Sequence, residues 1–359
     1  MTNHKAAALP GRDTPQTRNV ELIPIEPRTA GEDSAGALRL GLVGVGEQTT
    51  NHLLPALLTL LAVRITALVD PIRERREALA TRIGVSSGFD SVAQLLAEGE
   101  VDAVVAACPP QAHEQIAAAA IAARIPVFVE KPPATTTTAL TELAEAATES
   151  GVVTGVGMNF RWAAPMRRIS ALLGGGAYGD PTVITIRHVA SKPRAPMWGL
   201  SLLRSFLLAQ AIHPVDLLLC LAGEPVINTH ITRQVSSTGT MVGLQLGFAS
   251  GIVGILVCGS QAARFESRVE VNTSSGATMS VTRLGELTVT GGLVPLEIGD
   301  PRGWSQLWRP SPLDVGFDRT GFGAELAAFC RAAAAGTDFS PGLADLLPTY
   351  DILDLIERR

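Results

Sequence analysis

The sequence predicts an α/β protein in which a parallel-sheet domain precedes an α+β domain with an open, mainly antiparallel sheet. Two observations support this prediction. Between residues 38 and 157, short apolar runs alternate with alanine-rich helical stretches, which is typical of crossover units on a buried parallel sheet. After residue 158, glycine-rich β-type runs such as "RVEVNT" and "LTVT" alternate apolar with polar residues between Ser, Gly and Thr turns.

The chain of 359 residues is too long for one ordinary core, so we expect more than one domain. Residues 1–37 contain four prolines and repeated Thr, Glu and Asp, which predicts a flexible N-terminal leader. Residues 38–157 are predicted to form the parallel-sheet domain. Residues 158–359 are predicted to form the α+β domain for substrate binding and oligomerisation, closed by the helical stretches "GFGAELAAFCRAAAAG" and "LLPTYDILDLIERR".

Composition and charge argue against several classes of function. The formal net charge of −5, with scattered basic residues, is unsuited to a nucleic-acid surface. No apolar run reaches the roughly 18 residues of a membrane span, and the nearest one, "SLLRSFLLAQAI", is interrupted by Arg204. The first residues lack the features of a signal peptide, so we expect a cytoplasmic protein with reduced, structural cysteines and no metal site.

The first strand and turn, "LRLGLVGVGEQTTNHLLPAL", place Gly44 and Gly46 just before a helix. At such a turn a dinucleotide pyrophosphate approaches bare backbone and the positive end of the helix dipole. The third glycine of this pattern is replaced by Thr49, which predicts a looser contact between helix and strand or a shifted helix start. The alternative is a tight turn in a sheet that binds another ligand.

The second strand, "RITALVDP", ends in Asp70, whose carboxylate is placed to accept hydrogen bonds from the adenosine ribose hydroxyls. Together with the glycine turn, it predicts a Rossmann domain that binds NAD, with NADP less favoured because Asp70 would repel a 2′-phosphate. Arg73, Arg75 and Arg76 follow at once and could accept a phosphate if one swung inward. The alternative role of Asp70 is to cap the next helix.

The stretch "VDAVVAACPPQAHEQIAAAAIAARIPVFVEKPPA" predicts a strand, a proline loop with His113, a helix, and a strand that ends in Glu130 and Lys131. Lys131 is one of three lysines among 29 basic residues, and it lies at the carboxyl end of a parallel strand, where open sheets bind ligands. Unlike arginine, a lysine can take part in proton transfer when burial lowers its pKa. The alternative is a surface lysine after a strand.

This pattern resembles the Gfo/Idh/MocA family of oxidoreductases, and "GMNFRW", "YGDPTVITIRH", "HPVDLLLCLAGEP" and "FGAELAAFCRA" follow in the expected order. The resemblance implies an NAD(P)-dependent dehydrogenase that transfers hydride between nicotinamide and a secondary hydroxyl or ketone. Sugars, sugar nucleotides and cyclitols are the implied substrates, with a UDP-glucose-type 3-dehydrogenase of secondary metabolism as one candidate. The implied cofactor contacts are Gly44, Val45, Gly46, Glu47, Gln48, Asp70, Arg75, Cys108, Pro109, His113, Glu130 and Lys131.

The resemblance also implies that Lys131 contacts the reacting hydroxyl or carbonyl, together with His213. The family has an acid four residues before this histidine, where it can orient the imidazole, but here the position is Ala209. We therefore expect His213 to be a weaker base, unless Gln210 or Arg204 supports it.

Pro214 is expected to kink or restart the helix, with His213 near the N-cap and Asp216 in the first turn. A histidine that merely caps a core helix is the alternative for His213. Asn159 and Arg161 are further candidate substrate contacts at the domain junction.

Two other functions stay open. The missing acid favours a non-catalytic or partner-dependent dinucleotide sensor or accessory subunit, and the family resemblance also allows an imine or carbonyl reductase. In either case the run "VGLQLGFASGIVGILV" has more apolar surface than one packed face needs. We therefore expect a homodimer or homotetramer that forms through the C-terminal sheet.

Overall fold

The computed structural model describes residues 36–291, 305–311, 313–314 and 316–359. All but the last two residues of the predicted leader lie outside these ranges. The chain from Ala37 to Arg359 forms one compact unit. Its two sheets and surrounding helices confirm the predicted α/β class.

The first sheet has six parallel strands in the order β3-β2-β1-β4-β5-β6. The strand order reverses between β1 and β4, and such a switch point opens a ligand crevice at the carboxyl ends of the strands. Both β4 and β5 are buried along their whole length, as their uninterrupted apolar sequences predict. The strands are β1 Leu38–Val43, β2 Val63–Val69, β3 Ser87–Phe89, β4 Ala103–Ala106, β5 Val127–Glu130 and β6 Thr154–Gly157.

Helices connect these strands, and the first of them begins with a wide π-helical turn, Thr49–Leu53. The Thr49 hydroxyl is buried and donates to the carbonyl oxygen of Gly44 at 2.5 Å. A threonine therefore fits where glycine was expected, and the helix starts in the altered way that Thr49 predicted. The helices are α1 Leu54–Leu57, α2 Arg73–Ile83, α3 Val92–Glu98, α4 Pro110–Ala122 and α5 Thr137–Ser150.

The second sheet has eight strands in the order β14-β13-β12-β11-β7-β10-β9-β8. Strands β7 and β10 are parallel and the other neighbouring pairs are antiparallel, which confirms the predicted mainly antiparallel sheet. The strands are β7 Pro181–Val189, β8 Val226–Ser236, β9 Gly239–Phe248, β10 Val253–Gly259, β11 Glu266–Thr273, β12 Thr278–Thr282, β13 Glu286–Thr290 and β14 Ser305–Trp308.

The remaining helices tie the second sheet to the first. The apolar face of α9 packs on β7 and β10, whereas α11 returns to the first sheet, where the Phe329 and Phe128 ring centroids are 5.4 Å apart. The helices are α6 Asn159–Trp162, α7 Ala164–Gly174, α8 Leu202–Phe206, α9 Ile212–Ala222, α10 Gly316–Arg319, α11 Phe322–Ala335 and α12 Leu347–Arg358.

Helices α8 and α9 form one helical stretch of 21 residues, joined by a π-helical turn at Leu207–Ala211. Among the described residues, this stretch alone is long and apolar enough to cross a membrane, but 72% of its apolar window is buried inside the protein, as in a core helix. The helix continues through the π turn and does not break. The N-cap of α9 is Ala211, so His213 lies near the N-cap and Pro214 lies in the first turn, as predicted. The alternative in which His213 itself caps the helix is wrong.

Candidate active site

The glycine turn at the end of β1 is shaped by two different requirements. Gly44 has a φ of +80°, and a Cβ at this position would clash with the Ala107 carbonyl and the Cys108 Sγ. At Gly46, a Cβ would meet no atom within 4 Å. The protein's own packing thus demands glycine at position 44, whereas Gly46 leaves bare backbone facing open space, where a ligand can approach.

Asp70 holds this turn from the end of β2. Its carboxylate accepts hydrogen bonds from the Val45 N–H at 2.9 Å and from the Ile72 N–H at 2.8 Å. The side chain is buried, so these two bonds fix it at the carboxyl edge of the sheet. Asp70 therefore stabilises the turn in addition to its predicted role toward a ribose.

The three arginines after Asp70 have different surroundings. Arg73 pairs with Glu77 within α2. The buried Arg76 pairs with Asp90, the residue after β3. The Arg75 side chain is exposed. The cofactor contact of Arg75 therefore stays a prediction.

Gln48 connects the glycine turn to the end of β5. Its Nε2 donates to the Glu130 carboxylate at 3.2 Å, and the Lys131 backbone N–H donates to the other Glu130 oxygen at 3.2 Å. Burial raises the pKa of Glu130, opposed by the nearby Lys131. Glu47 in the same turn is exposed. The turn and the lysine are therefore held in one hydrogen-bonded unit.

His113 joins the loops that follow β4 and β5. Its Nε2 accepts the Cys108 N–H at 2.8 Å, and its Nδ1 must donate to the Pro132 carbonyl at 2.9 Å, since a carbonyl only accepts. Both nitrogens are thus occupied in a neutral ring, and burial lowers the pKa of His113 to about 4. His113 has no ring hydrogen bond left for a cofactor, while Cys108 lies beside Gly44 of the glycine turn and Pro109 is the N-cap of α4.

Lys131 follows β5 directly, and its Nζ donates to the Ala209 carbonyl at 3.1 Å. In a π-helical turn, a carbonyl accepts a hydrogen bond from the N–H five residues later. For Ala209 that residue is Pro214, which has no N–H to donate. The turn therefore presents this carbonyl to the lysine. Burial lowers the pKa of Lys131, Glu130 opposes this shift, and the nearby Lys192 adds to it.

Aromatic and imidazole rings lie next to this lysine. The Phe160 ring stacks on His213 with centroids 4.3 Å apart, and it lies 5.7 Å from the ring of His188. Burial lowers the pKa of His188 to about 4 and that of His213 well below its ordinary value, with Lys131 contributing to both shifts. Both rings are therefore neutral near pH 7.

Neither Gln210 nor Arg204 supports His213 in place of the family's acid, whose position is Ala209 in this chain. Gln210 Oε1 lies 3.4 Å from His188 Nε2. Arg204 donates to the Thr135 carbonyl and pairs with Asp354. Within the described part of the chain, His213 Nδ1 is buried without a hydrogen-bond partner.

The predicted substrate contacts Asn159 and Arg161 have structural partners instead. Asn159 Nδ2 donates to the Thr320 carbonyl at 2.8 Å. Arg161 Nε donates at 2.7 Å to Asp216, which is buried in α9 beyond its first turn, so the predicted first-turn position of Asp216 is wrong. Phe160, between the two predicted residues, is the side chain that α6 delivers to His213.

Sequence reasoning thus missed Phe160 and His188. A signal for His188 exists, because strand alternation places it on the same buried face of β7 as Ile184 and Ile186. A histidine among inward-facing isoleucines is a candidate site residue. No comparable signal distinguishes Phe160 from its neighbours.

The protein therefore has two sheets. The parallel sheet carries a glycine turn that suits a dinucleotide, and Lys131, His188 and His213 lie together beside the second sheet. Residues 38–158 match the family model described as "Oxidoreductase family, NAD-binding Rossmann fold", and residues 166–278 match the "GFO/IDH/MocA C-terminal domain". The chain belongs to the Gfo/Idh/MocA family, which confirms the resemblance.

Individual proteins of the family are similar over different lengths. An inositol 2-dehydrogenase of Mycolicibacterium gilvum is 29% identical over 208 residues, which is 58% of this chain and 58% of that protein. The crystal structure of a dehydrogenase from Chromobacterium violaceum is 35% identical, covers 90% of this chain and 95% of its own, and has a TM-score of 0.87. A levoglucosan dehydrogenase complex with NADH and L-sorbose shares the fold, with a TM-score of 0.78 at 20% identity over 90% of this chain and 96% of that one.

Proposed function

We propose that the protein is an NAD-dependent dehydrogenase that oxidises a secondary hydroxyl of a sugar, sugar nucleotide or cyclitol to a ketone, or catalyses the reverse reaction. The observation that carries this proposal is the position of Lys131. Lys131 follows β5 at its carboxyl end, and its backbone N–H is connected through Glu130 and Gln48 to the glycine turn. Its Nζ bonds the Ala209 carbonyl and is near enough to the neutral His213 to lower the pKa of that ring. A substrate hydroxyl between the two side chains would lie next to the cofactor crevice.

The residues at the turn fit a nicotinamide dinucleotide. Gly46 leaves space for a pyrophosphate, and the positive end of the first helix points toward it. When bound, the nicotinamide supplies a hydride acceptor or donor. Asp70 favours NAD, because a carboxylate accepts hydrogen bonds from ribose hydroxyls and repels a 2′-phosphate, while Arg73 and Arg76 are already paired.

Lys131 is the group that moves the proton in this proposal. Oxidation releases the hydroxyl proton as the hydride leaves the same carbon, and burial, by lowering the pKa of Lys131, favours the unprotonated amine that can accept that proton. In the reductive direction the ammonium form returns the proton to the oxygen. His213, which is neutral, orients the hydroxyl by a hydrogen bond without carrying net charge.

The test is nicotinamide absorbance with wild type and two variants at position 131, using a panel of inositols, sugars and nucleotide sugars. Lys131→Ala is expected to lose about 100-fold or more in turnover, the usual contribution of a positioned acid–base group. Lys131→Arg keeps the charge but cannot give up a proton, so it is expected to be equally inactive. Both variants should retain dinucleotide binding. Full turnover by Lys131→Arg would contradict the proposed proton transfer.

A second candidate function is a dinucleotide-binding sensor or accessory subunit without turnover of its own. The absent carboxylate at Ala209 and the unpartnered Nδ1 of His213 favour it. Under this hypothesis, wild type binds dinucleotide tightly but reduces none with any compound, and Lys131→Ala changes only ligand contacts. An imine or carbonyl reductase is distinguished by oxidation of NADH when a ketone or imine is supplied.

The substrate class is supported by the relatives. Those most similar in sequence include inositol 2-dehydrogenases, whose substrate is a cyclitol. A UDP-glucose-type 3-dehydrogenase of secondary metabolism is a finer candidate for the same hydroxyl chemistry, and nucleotide sugars in the panel test it directly. We place this reaction in the cytoplasm, where NAD is available.

We also propose that the enzyme is a homodimer or homotetramer assembled through the outer face of the second sheet. Ile255 and Val257 on β10 are 39% and 37% exposed and alternate with buried Leu256, so their side chains form part of an apolar outer face. Light scattering at micromolar concentration should give a multiple of the chain mass, and a strictly monomeric species would contradict this assembly.

A further inference from the structure

The loop that follows β5, residues 131–135, carries Lys131 and is held by buried side chains of two distant helices. The Tyr350 hydroxyl of α12 donates to the Ala134 carbonyl at 2.7 Å and accepts the Ala134 N–H at 3.4 Å. Arg204 of α8 donates to the Thr135 carbonyl from Nε at 3.1 Å and from Nη2 at 3.0 Å. These bonds fix the backbone of the loop three and four residues after Lys131.

Arg204 is itself held in place by the C-terminal helix. Its Nη1 donates to Asp354 at 2.7 Å and to Glu357 at 3.3 Å, and its guanidinium carbon lies 5.8 Å from the centre of the Tyr350 ring. Only 7% of the Arg204 side chain is exposed. Each guanidinium nitrogen thus has a protein partner, so Arg204 connects elements of the protein and does not wait for a ligand.

The backbone of Arg204 belongs to the helix that accepts the lysine. Ala209, whose carbonyl bonds Lys131 Nζ at 3.1 Å, lies five residues after Arg204 in the continuous helical stretch Leu202–Ala222. Arg204 therefore connects both partners of this bond, since its side chain holds the loop of the donor and its backbone is part of the helix of the acceptor. Such a link sets where the amine lies relative to a substrate hydroxyl.

We propose that Arg204 is a positioning residue for Lys131, because it fixes the loop 131–135 to the helical stretch Leu202–Ala222 and makes α12 part of the active-site framework. This inference rests on the proposed dehydrogenase function, in which Lys131 accepts the hydroxyl proton. Arg204 acts through the Thr135 backbone and not on the substrate. Arginine suits this role because its planar fork of donors bonds Thr135 and Asp354 at the same time.

The test observes Lys131 directly, so it does not depend on turnover. The chain has only three lysines, so lysine labelled with carbon-13 at Cε gives three NMR signals, and Lys131→Ala assigns the relevant one. Burial lowers the pKa of Lys131 in wild type. In Arg204→Gln the loop is no longer held and the amine gains access to water, so this pKa should rise toward 10.5. The charged neighbours Glu130 and Lys192 are the same in both proteins.

Two further variants separate positioning from an effect of charge and from general loosening of α12. Tyr350→Phe removes both bonds to Ala134 without a change in charge, and it should also raise the pKa of Lys131. It decides the question if Arg204→Gln does not fold. Arg233→Gln is the matched control, because Arg233 donates to the Ile356 carbonyl at 2.6 Å and holds the end of α12 to β8 instead of to the loop. It should leave the Lys131 signal unchanged.

The kinetic effect follows from the same displacement of Lys131. With a substrate found in the nicotinamide assay, Arg204→Gln should lower kcat about 10- to 100-fold, because displacements of about 1 Å have effects of this size. The dissociation constant of NADH should not change, since the glycine turn is intact. Arg233→Gln should keep the kcat of wild type.

Three outcomes would overturn the proposal: a Lys131 pKa that does not rise in Arg204→Gln, a rise that is absent in Tyr350→Phe, or an equal rise in Arg233→Gln. Failure of the dehydrogenase function has a separate signature. In that case the Lys131 signal responds to Arg204→Gln and Tyr350→Phe as expected, but wild type neither reduces NAD nor oxidises NADH with any compound.

Discussion

Restoring the missing acid by Ala209→Asp should create a titratable histidine at position 213. Ala209 is half-buried, so an aspartate side chain has room, and it lies four residues before His213 on the same helical face. The Nδ1 of His213 is buried without a partner. A carboxylate that accepts from this nitrogen would stabilise the protonated ring by about 1.5–3 kcal/mol, which raises the pKa of His213 by about 1–2 units.

The assay is the NMR titration of the histidine ring signals in wild type, Ala209→Asp and Ala209→Asn. The chain has six histidines, and His213→Gln assigns the relevant signal. In wild type, the His213 signal should not titrate near neutral pH, because burial, Lys131 and His188 all lower its pKa. It should titrate at higher pH in Ala209→Asp and stay unchanged in Ala209→Asn, which adds similar volume without charge. An unaltered His213 titration in Ala209→Asp would refute the expectation that a carboxylate at position 209 accepts a hydrogen bond from Nδ1.

Three further predictions concern the glycine turn, the choice of cofactor and the buried His188. Gly44→Ala should lower the free energy of unfolding by about 1–3 kcal/mol in chemical denaturation, because Gly44 has a positive φ and a Cβ there would make two clashes. Gly46→Ala should keep the stability of the fold but weaken dinucleotide binding. Equal losses of stability in the two variants would contradict this distinction. Asp70→Ser should lower the preference for NAD over NADP by about tenfold in titrations of both dinucleotides, and an unchanged ratio would count against Asp70 as the selector. Burial lowers the pKa of His188 from 6.5 to about 4, so the stability linked to its neutral form is present above pH 6.5 and is lost as the pH falls through about 4. His188→Phe should therefore reduce the loss of unfolding free energy between pH 7.5 and pH 5 by about 2 kcal/mol, and an identical pH dependence in urea denaturation would disprove this.

The fold was predictable because each sheet has its own sequence pattern. The uninterrupted apolar runs of β4 and β5 require burial on both faces, and the alternation in β11 requires burial on one face. Thr49 predicted a looser contact or a shifted helix start, and the helix begins as a π turn in which the buried Thr49 hydroxyl bonds the Gly44 carbonyl. These features depend on neighbouring residues in the chain, which a sequence displays directly.

The site was predictable only in part, because its remaining features depend on distant segments. Lys131 could be identified from the end of its strand, but its bond to the Ala209 carbonyl requires a π turn and a proline 83 positions later. His113 was predicted to contact the cofactor, but both of its ring nitrogens form hydrogen bonds with backbone groups of two loops. Likewise, Arg161 was predicted to contact the substrate but bonds Asp216, and its neighbour Phe160 stacks on His213. Such partner choices are decided by tertiary packing.

The most direct test of the central claim is the pH dependence of kcat/KM for NAD reduction by wild type and Lys131→Ala, with substrate carrying hydrogen or deuterium on the reacting carbon. If Lys131 accepts the proton during hydride transfer, wild type should show a deuterium isotope effect and a single ionisation below pH 10.5, the ordinary pKa of lysine, because burial lowers the pKa of Lys131. Turnover that depends on this ionisation should disappear in Lys131→Ala. An unchanged pH profile and undiminished turnover in Lys131→Ala would contradict the assignment of Lys131 as the proton-transferring group.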